Sequence, residues 1–411
     1  MRITVVEQNG SGGLIHYAYQ LCTALAAQGH QITLVTARSY ELSRFPHNFK
    51  VENRLNLWPI FQSQPVSTRR NSFDKIFRKI FWETRRGFRA VKLFFSWIDL
   101  TRYLLDSKPD IVLFGSLNFP FETFFLAYLK RQGIILAQIC HEFEHREYQG
   151  RLSRFIDKSL GNIYQQFSVI FFHANQYRER FHSLFNIPRE KTVLIQHGNE
   201  GMFLMNAAEI EGAAINLKER YGLQADEPVI LFFGLIAPSK GLPQLINAFE
   251  IVSRQSPAKL VIAGYPTKQM DMDGLLDSVK KACISGQVIF DTRYIPFGEV
   301  PQLISLAHIV VFPYRTNTQS GSLQVAYSFG KPVIATNVGG LVETVEDGKS
   351  GFLVPVDDPQ VFAEKMLYLL NNPGEALQMG QYARHLSHTL YSWKNVSEKI
   401  IDVFNSILQI N

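Results

Sequence analysis

The chain has 411 residues, 46% of them hydrophobic, a length that suits two soluble domains of ordinary size, each with its own core. Its three cysteines, Cys22, Cys140 and Cys283, are far apart, which argues against a disulfide framework or a zinc site and favours a reducing compartment. The formal net charge is +6, and no apolar run reaches the roughly 18–20 residues of a membrane span.

The chain opens with a strand, a glycine-rich loop, a helix and a second strand. Residues 3–6 are an apolar run that enters a strand directly, so we expect no secretory signal and a cytoplasmic location. A loop with Gly12 and Gly13 follows, then an apolar stripe at helical spacing and the strand 31–36. Open parallel sheets bind ligands at the carboxyl ends of their strands. The loop is therefore a candidate ligand loop, or a plain turn, because GxGxxG is absent.

Residues 69–92 concentrate positive charge. They contain nine Lys or Arg and two acidic residues, a net charge of +7 that exceeds the +6 of the whole chain. Phe and Ile recur there at helical spacing, which predicts a basic amphipathic helix suited to an anionic membrane surface. A docking helix with a solvated charged face is the alternative, and nucleic acid is less favoured because no nucleic-acid module accompanies the patch. The residues expected at the membrane are Arg78, Lys79, Trp82, Arg85 and Arg86.

Four further strands are predicted in the first half, at 110–114, 134–139, 168–172 and 193–196, and two of them run into histidines. The second of them leads into His141-Glu142, where we expect His141 at the ligand-facing edge of the sheet and Glu142 to hold one tautomer of its ring. The last leads into His197, for which a structural and a functional role are both open. A satisfied core histidine is the alternative for His141.

The second half repeats the alternation. Residues 201–227 are polar and form the predicted linker. Predicted strands then follow at 229–233, 259–263, 287–290, 309–312 and 333–335, with helices between them. This order predicts an α/β protein with two doubly wound halves. The expected domains are 1–200 and 228–384, with a last helix in 385–411 that packs back on the first domain.

The stretch from Phe312 to Thr336 reads as strand, small-residue loop, helix and strand. The first N–H groups of a helix are unpaired and the helix dipole adds partial positive charge there, which favours phosphate. Gly321 would let a ligand approach the backbone closely. The alternative is that Ser320 simply caps the helix.

These motifs together resemble the GT-B-fold retaining glycosyltransferases, and within them family 4 (group 1). The resemblance covers nearly the whole chain. It is carried by the first glycine loop, the His-Glu after strand 134–139, ILFFGLIAPSKGLPQLINAF, LVIAGYP, VIFDTRYIPFGEVPQLISLAHIVVFPYR and QSGSLQVAYSFGKPVIATNVGGLVETVEDGKSGFLVP. It implies two Rossmann-like domains facing across a cleft, with the nucleotide-sugar donor bound by the second.

The chain departs from the family pattern at three positions. Members commonly carry two glutamates where this chain has Asn317 and Val325, and an Arg where it has Leu235. The second glutamate usually holds the donor ribose, so that contact is replaced or absent here. A branch with a TQSG-type donor loop, which also lacks those glutamates, resembles the chain better.

The resemblance implies transfer of a sugar, with retained anomeric configuration, from a nucleotide-diphosphate donor to a hydroxyl of a glycan or lipid-linked acceptor in surface polysaccharide or glycolipid synthesis. Lys240 would stabilise the leaving diphosphate and His141 would lie beside the transferred sugar. The implied donor-binding residues are Gly12, Gly13, Lys240, Tyr294, Ile295, Arg315, Gln319, Ser320, Gly321 and Ser322. We expect no cofactor and no obligatory metal, because carboxylates do not cluster at ligand spacing.

Two other classes remain open at this point. Sugar-nucleotide 2-epimerases share the two-domain fold, although the acidic cleft residues on which they rely cannot be placed here. A non-catalytic donor-binding or membrane scaffold is suggested by Asn317, Val325 and Leu235. A membrane-bound form would be peripheral, at the inner face of the membrane.

Overall fold

The chain divides into two compact units, each built on one parallel sheet. The first unit comprises Met1–Phe172, Arg178–Ile195 and Val396–Asn411, and the second comprises His173–Tyr177 and Gln196–Asn395. The computed structural model describes residues 1–55, 91–117, 119–143, 161–204, 217–224, 226–316 and 319–410. The predicted basic helix at 69–92 therefore falls almost entirely outside the described residues, and so does Asn317.

The sheet of the first unit has seven strands in the order β3-β2-β1-β4-β5-β6-β7, and all neighbours are parallel. The strands are β1 (Arg2–Val6), β2 (Gln31–Ala37), β3 (Lys50–Leu55), β4 (Ile111–Phe114), β5 (Ile135–Ile139), β6 (Val169–Phe172) and β7 (Thr192–Leu194). The central strands are continuous apolar runs because both faces of such a sheet are covered. The strand order reverses between β1 and β4, which makes this pair the switch point of the sheet.

The second unit has six parallel strands in the order β10-β9-β8-β11-β12-β13. They are β8 (Val229–Phe233), β9 (Lys259–Ala263), β10 (Val288–Asp291), β11 (Ile309–Phe312), β12 (Val333–Thr336) and β13 (Gly351–Val354). Here the order reverses between β8 and β11. The prediction of two doubly wound parallel α/β halves is confirmed.

Helices connect the strands of both sheets. They are α1 (Gly13–Ala27), α2 (91–107), α3 (Glu122–Arg131), α4 (161–164), α5 (Asn175–Leu184), α6 (217–221), α7 (Leu242–Ser253), α8 (Met272–Lys281), α9 (Val300–Leu306), α10 (Gly321–Ser328), α11 (Gly340–Thr344), α12 (Pro359–Asn371), α13 (Pro373–His388) and α14 (Trp393–Ile410). The end of α14 packs in the first unit, where Phe404 contacts Phe171 with ring centroids 5.8 Å apart. No helix in the described ranges is long and apolar enough to span a bilayer.

Candidate functional site

Two loops of the second unit meet at the carboxyl ends of β8 and β11, the strands at which the order reverses. The loop after β8 ends in the 3₁₀ turn Pro238–Lys240. Gly241 follows with φ 67°, and a Cβ there would lie 1.9 Å from the carbonyl oxygen of Pro313 in the loop after β11. The amide of Arg315 also donates to the carbonyl oxygen of Ser239 at 2.8 Å. The two loops are thus joined backbone to backbone, and only glycine fits at position 241.

The ammonium group of Lys240 lies over an aromatic ring from the second loop. Its Nζ is 3.7 Å from the ring centroid of Tyr314, a cation–π contact. Burial raises the pKa of Tyr314 to about 12, with the contact to Ser320 opposing the rise. The Tyr314 hydroxyl lies 3.4 Å from Ser320 Oγ. Tyr314 is therefore a neutral phenol, and its ring holds Lys240 close to Ser320, the residue that precedes α10.

The amino terminus of α10 faces this lysine loop. Ser320 caps it, because the Leu323 amide donates to Ser320 Oγ at 3.3 Å, so the capping role considered from the sequence is present. The Ser322 hydroxyl lies 3.1 Å from where a Cβ on Gly234, just after β8, would stand. A Cβ on Gly321 would meet nothing nearer than 3.8 Å. Among the described residues nothing therefore requires a glycine at 321, and the missing side chain leaves room for a ligand at the helix terminus.

Two polar residues, Glu200 beside α10 and Gln324 within it, were missed from the sequence. Glu200 is 3% exposed, its amide donates to Ser328 Oγ at 3.2 Å, and its Oε1 is the atom 3.8 Å from the Cβ position of Gly321. Gln324 is fully buried, and neither its side-chain nitrogen nor its oxygen has a hydrogen-bond partner in the part of the chain that the structure describes. Buried amides are rarely left unpaired, so a bound ligand or water would find donors and acceptors here. Only the three-dimensional packing of segment 197–204 on α10 reveals them.

His197 is buried in the same region. Burial lowers its pKa to about 4, so the ring is neutral at pH 7. Its Nδ1 lies 2.8 Å from the carbonyl oxygen of Gly198, which can only accept, so Nδ1 carries the proton and Nε2 the lone pair. The ring packs against that of His173, with centroids 4.9 Å apart.

Trp393 holds this histidine segment in place. A Cβ on Gly198 would lie 2.3 Å from the indole ring of Trp393, and the indole N–H donates to the Asn199 carbonyl oxygen at 2.8 Å. The Asn199 amide donates to the carbonyl oxygen of Tyr391, also at 2.8 Å. The segment that carries His197 and Glu200 is therefore positioned by residues close to the end of the chain.

The other residues predicted for the donor also lie in the second unit. Ile295 is 7% exposed, Tyr294 and Gln319 are half-buried, and the neighbouring Arg293 is engaged by Asp291. Arg315 points to Asp357 on the surface, with 3.2 Å between guanidinium and carboxylate. Val325, which stands where the family has a glutamate, is 3% exposed inside α10, whereas Leu235 is 44% exposed.

In the first unit, the glycine loop precedes α1 at the switch point of that sheet. Gly12 has φ 86°, and its amide donates to Glu41 Oε1 at 2.6 Å. The same oxygen lies 2.6 Å from His16 Nε2. Gly12 was predicted as a donor-binding residue, and its amide is already hydrogen-bonded to a carboxylate. A Cβ on Gly13 would meet nothing within 4 Å, so this glycine leaves open space at the start of α1.

A buried carboxylate fixes the base of that loop. Glu7 accepts hydrogen bonds from the Asn9 amide at 2.9 Å and from the Ser116 hydroxyl at 2.8 Å, which joins the ends of β1 and β4. Burial raises the pKa of Glu7, and these hydrogen bonds oppose the rise. His141, after β5, is half-buried and packs edge-on against Tyr17 with ring centroids 4.8 Å apart.

The predicted residues thus fall in both units. Glu142 is exposed. Arg78, Lys79, Trp82, Arg85 and Arg86 lie outside the described residues. Within the described ranges, no three His, Cys, Asp or Glu side chains are grouped so that they would hold a metal ion.

Comparison with known families matches each half of the chain. The model described as Glycosyltransferase Family 4 matches residues 11–199, and the model described as Glycosyl transferases group 1 matches residues 214–386. The GDP-mannose-dependent alpha-(1-6)-phosphatidylinositol monomannoside mannosyltransferase of Mycolicibacterium smegmatis is 28% identical over 256 residues, which are 60% of this chain and 64% of that protein. The chain spans 51–64% of the length of three such curated relatives.

Solved structures agree with the fold over the whole chain. Sucrose-phosphate synthase from Thermosynechococcus elongatus superposes with a TM-score of 0.70 at 18% identity and covers 100% of this chain and 99% of its own. Anabaena Alr3699/HepE in complex with UDP-glucose gives 0.71 at 16% identity, with 99% and 100% covered. At such identities the likeness establishes the fold alone, and that fold is GT-B.

Proposed function

Because its two halves match the models of two glycosyltransferase families on a GT-B fold, we propose that the protein is a retaining glycosyltransferase. It moves a sugar from a nucleotide-diphosphate donor to a hydroxyl of a glycan or lipid-linked acceptor. The observation that carries the proposal is the pair of joined loops after β8 and β11, which put a lysine next to the open amino terminus of α10. The mannosyltransferase named above and HepE, bound to UDP-glucose, support a nucleotide-sugar donor.

In this proposal the diphosphate binds between Lys240 and the first turn of α10. When the bond to the sugar breaks, negative charge develops on the leaving phosphate, and fixed donors aimed at that charge accelerate the reaction. Lys240 supplies a cation, and the amides of Gly321 and Ser322 supply N–H groups at the positive end of the helix dipole. Within the first unit, Gly13 likewise leaves open space at a helix start, that of α1.

The transfer step needs no protein nucleophile. The acceptor oxygen forms a bond to the anomeric carbon on the face from which the diphosphate leaves, and the bond between that carbon and the phosphate oxygen breaks. The departing phosphate takes the proton of the acceptor hydroxyl, so charge and atoms balance. His141 orients the sugar hydroxyls. We propose that the reaction needs no metal ion, and activity in the presence of EDTA tests this point.

The first experiment measures thermal stabilisation of the purified protein by UDP, GDP, ADP and TDP. A ligand at 100 times its dissociation constant adds about 2.7 kcal/mol, a visible shift. We expect one base to stand out and the shift to be lost in Lys240→Ala. If no nucleotide stabilises the parent protein, the donor site is absent and a scaffold role replaces the proposal.

A second experiment identifies the reaction. Release of nucleotide diphosphate that depends on added acceptor supports transfer, and we expect His141→Ala to abolish it while nucleotide binding persists. Conversion of the donor sugar to its 2-epimer without acceptor would instead show an isomerase. Equal release by His141→Ala and the parent would remove His141 from the catalytic residues.

A further inference from the structure

The helix α2 in the first unit has a buried apolar inner face and two exposed aromatic rings on its outer face. Its inner face is buried at Leu93, Trp97 and Leu100. Its outer face nevertheless presents Phe94 and Phe95, which are 41% and 65% exposed. The same outer face carries the exposed charged residues Lys92, Asp99 and Arg102, as in an amphipathic helix, so the two exposed aromatic rings are the exception on it.

The exposed aromatic side chains of α2 continue onto α3. Phe94 contacts Phe121 and Phe125, with ring centroids 5.5 Å and 5.4 Å apart. One turn beyond Phe121, Phe124 is 77% exposed, and one turn further Tyr128 is 46% exposed. We define the outer aromatic patch as Val91, Phe94, Phe95, Phe121, Phe124 and Tyr128. Contiguous apolar patches of this kind mark interaction surfaces in soluble proteins.

Positive charge borders the outer aromatic patch. Lys92 is exposed beside it on α2, and Lys130 and Arg131 are exposed at the end of α3. Of the acids nearby, Glu122 on the first turn of α3 is fully buried and accepts hydrogen bonds from Gln8 and the Phe119 amide. The exposed Asp99, one turn after Phe95 on α2, is paired with Arg54 at 3.2 Å. In the sequence, residues 69–92 with their net charge of +7 lead directly into α2. An anionic surface complements this arrangement of aromatic rings within a basic border.

We propose that the outer aromatic patch inserts into the interfacial region of an anionic lipid bilayer. Aromatic side chains favour the headgroup boundary, while Lys and Arg at the border pair with anionic headgroups. We favour the bilayer over a protein partner for two reasons. Lysine and arginine side chains lie near the aromatic rings in the described fold, and the sequence that leads into α2 is rich in the same residues. This inference rests on the proposed function, because a lipid-linked acceptor would lie in that bilayer and would explain why the protein contacts it.

The test compares vesicle binding of the full chain and a double variant, Phe95→Ser with Phe124→Ser. These two rings are the most exposed of the patch, so their replacement should leave the melting temperature unchanged. The vesicles contain phosphatidylglycerol with phosphatidylcholine, or phosphatidylcholine alone, and binding is read by flotation. We expect the parent to prefer phosphatidylglycerol and the double variant to lose about ten-fold or more in partitioning. Leu377→Ser, at a residue 60% exposed on α13 of the second unit, is the matched control and should bind like the parent.

Other results would overturn the inference. Equal flotation of parent and double variant would show that the patch does not touch lipid. A parent that self-associates, with a monomeric variant and unchanged flotation, would make the patch a contact between copies of this chain. A lower melting temperature with unchanged flotation would mean that the two rings stabilise the fold and do not contact lipid. Nucleotide stabilisation is measured in the same samples, so failure of the donor site is recognised separately.

Discussion

Replacement of Gly321 by alanine separates folding from ligand binding. The new methyl group would lie 3.8 Å from Glu200 Oε1 and 4.0 Å from His197 Cε1, which are ordinary contacts. The backbone at 321 is helical and suits alanine. Because alanine restricts the unfolded chain, we expect Gly321→Ala to stabilise the protein by about 0.4–1 kcal/mol. For a domain of this size the melting temperature should rise by roughly 1–4 °C.

The same methyl group would occupy the space proposed for a phosphate oxygen. Forcing an extra carbon into a filled site costs about 1–3 kcal/mol, so donor affinity should fall about 5- to 150-fold. Isothermal titration calorimetry with the nucleotide diphosphate that stabilises the parent measures the affinity, and thermal unfolding without ligand measures the stability.

Gly374→Ala is the matched control. Gly374 lies in the first turn of α13, and a Cβ there would meet no described atom within 4 Å, so alanine fits at this position too. It should gain similar stability and keep the parent affinity. Equal affinities for parent, Gly321→Ala and Gly374→Ala would refute the placement of the phosphate at α10.

Three further predictions address single groups. Lys240→Ala should weaken binding of the nucleotide diphosphate by on the order of 1.5–3 kcal/mol, as for the loss of a charged hydrogen bond, and unchanged calorimetric affinity would exclude Lys240 from the site. His197 stays neutral in the folded protein down to about pH 4, whereas an unfolded histidine binds a proton below about pH 6.5. The free energy of unfolding should therefore fall by up to about 3 kcal/mol as the pH drops from about 6.5 to about 4. His197→Gln should flatten that dependence in unfolding experiments, and an unchanged slope would assign it to other groups. Burial raises the pKa of the Cys22 and Cys140 thiols, whereas Cys283 is exposed, so iodoacetamide should modify one thiol in the native protein and none in Cys283→Ser, as read by mass spectrometry.

The strands that could be predicted from the sequence, such as β4 and β11, are apolar at every position because both of their faces are buried. Strand β3, with the sequence KVENRL, was missed because it lies at the sheet edge and carries charged side chains, as edge strands do. Strand β13 is also at an edge and has only four residues. Helix α10 begins at Gly321, directly after its Ser320 cap and two residues before Leu323, the first apolar residue of its buried face.

The candidate site was predictable where it depends on one loop and not where it depends on distant contacts. Lys240 and the α10 terminus follow strand ends directly, so sequence order indicates both. Glu41 reaches Gly12 from the loop after β2, and Glu200 reaches α10 from a segment 121 residues before Gly321, so neither contact leaves a local pattern. The carboxylate on the Gly12 amide is the main departure from the expected phosphate loop.

The contact between Gly198 and Trp393 determines when the candidate site can form during synthesis of the chain. Some two hundred residues separate the two positions, so the segment with His197 and Glu200 cannot take its final place until almost the whole chain has been synthesised. A product that stops before Trp393 retains every strand of both sheets but lacks the indole that fills the space above Gly198. Truncated chains should therefore lack both a finished site and the buried residues of α14 in the first unit, so that ligand binding reports whether translation reached the last helix.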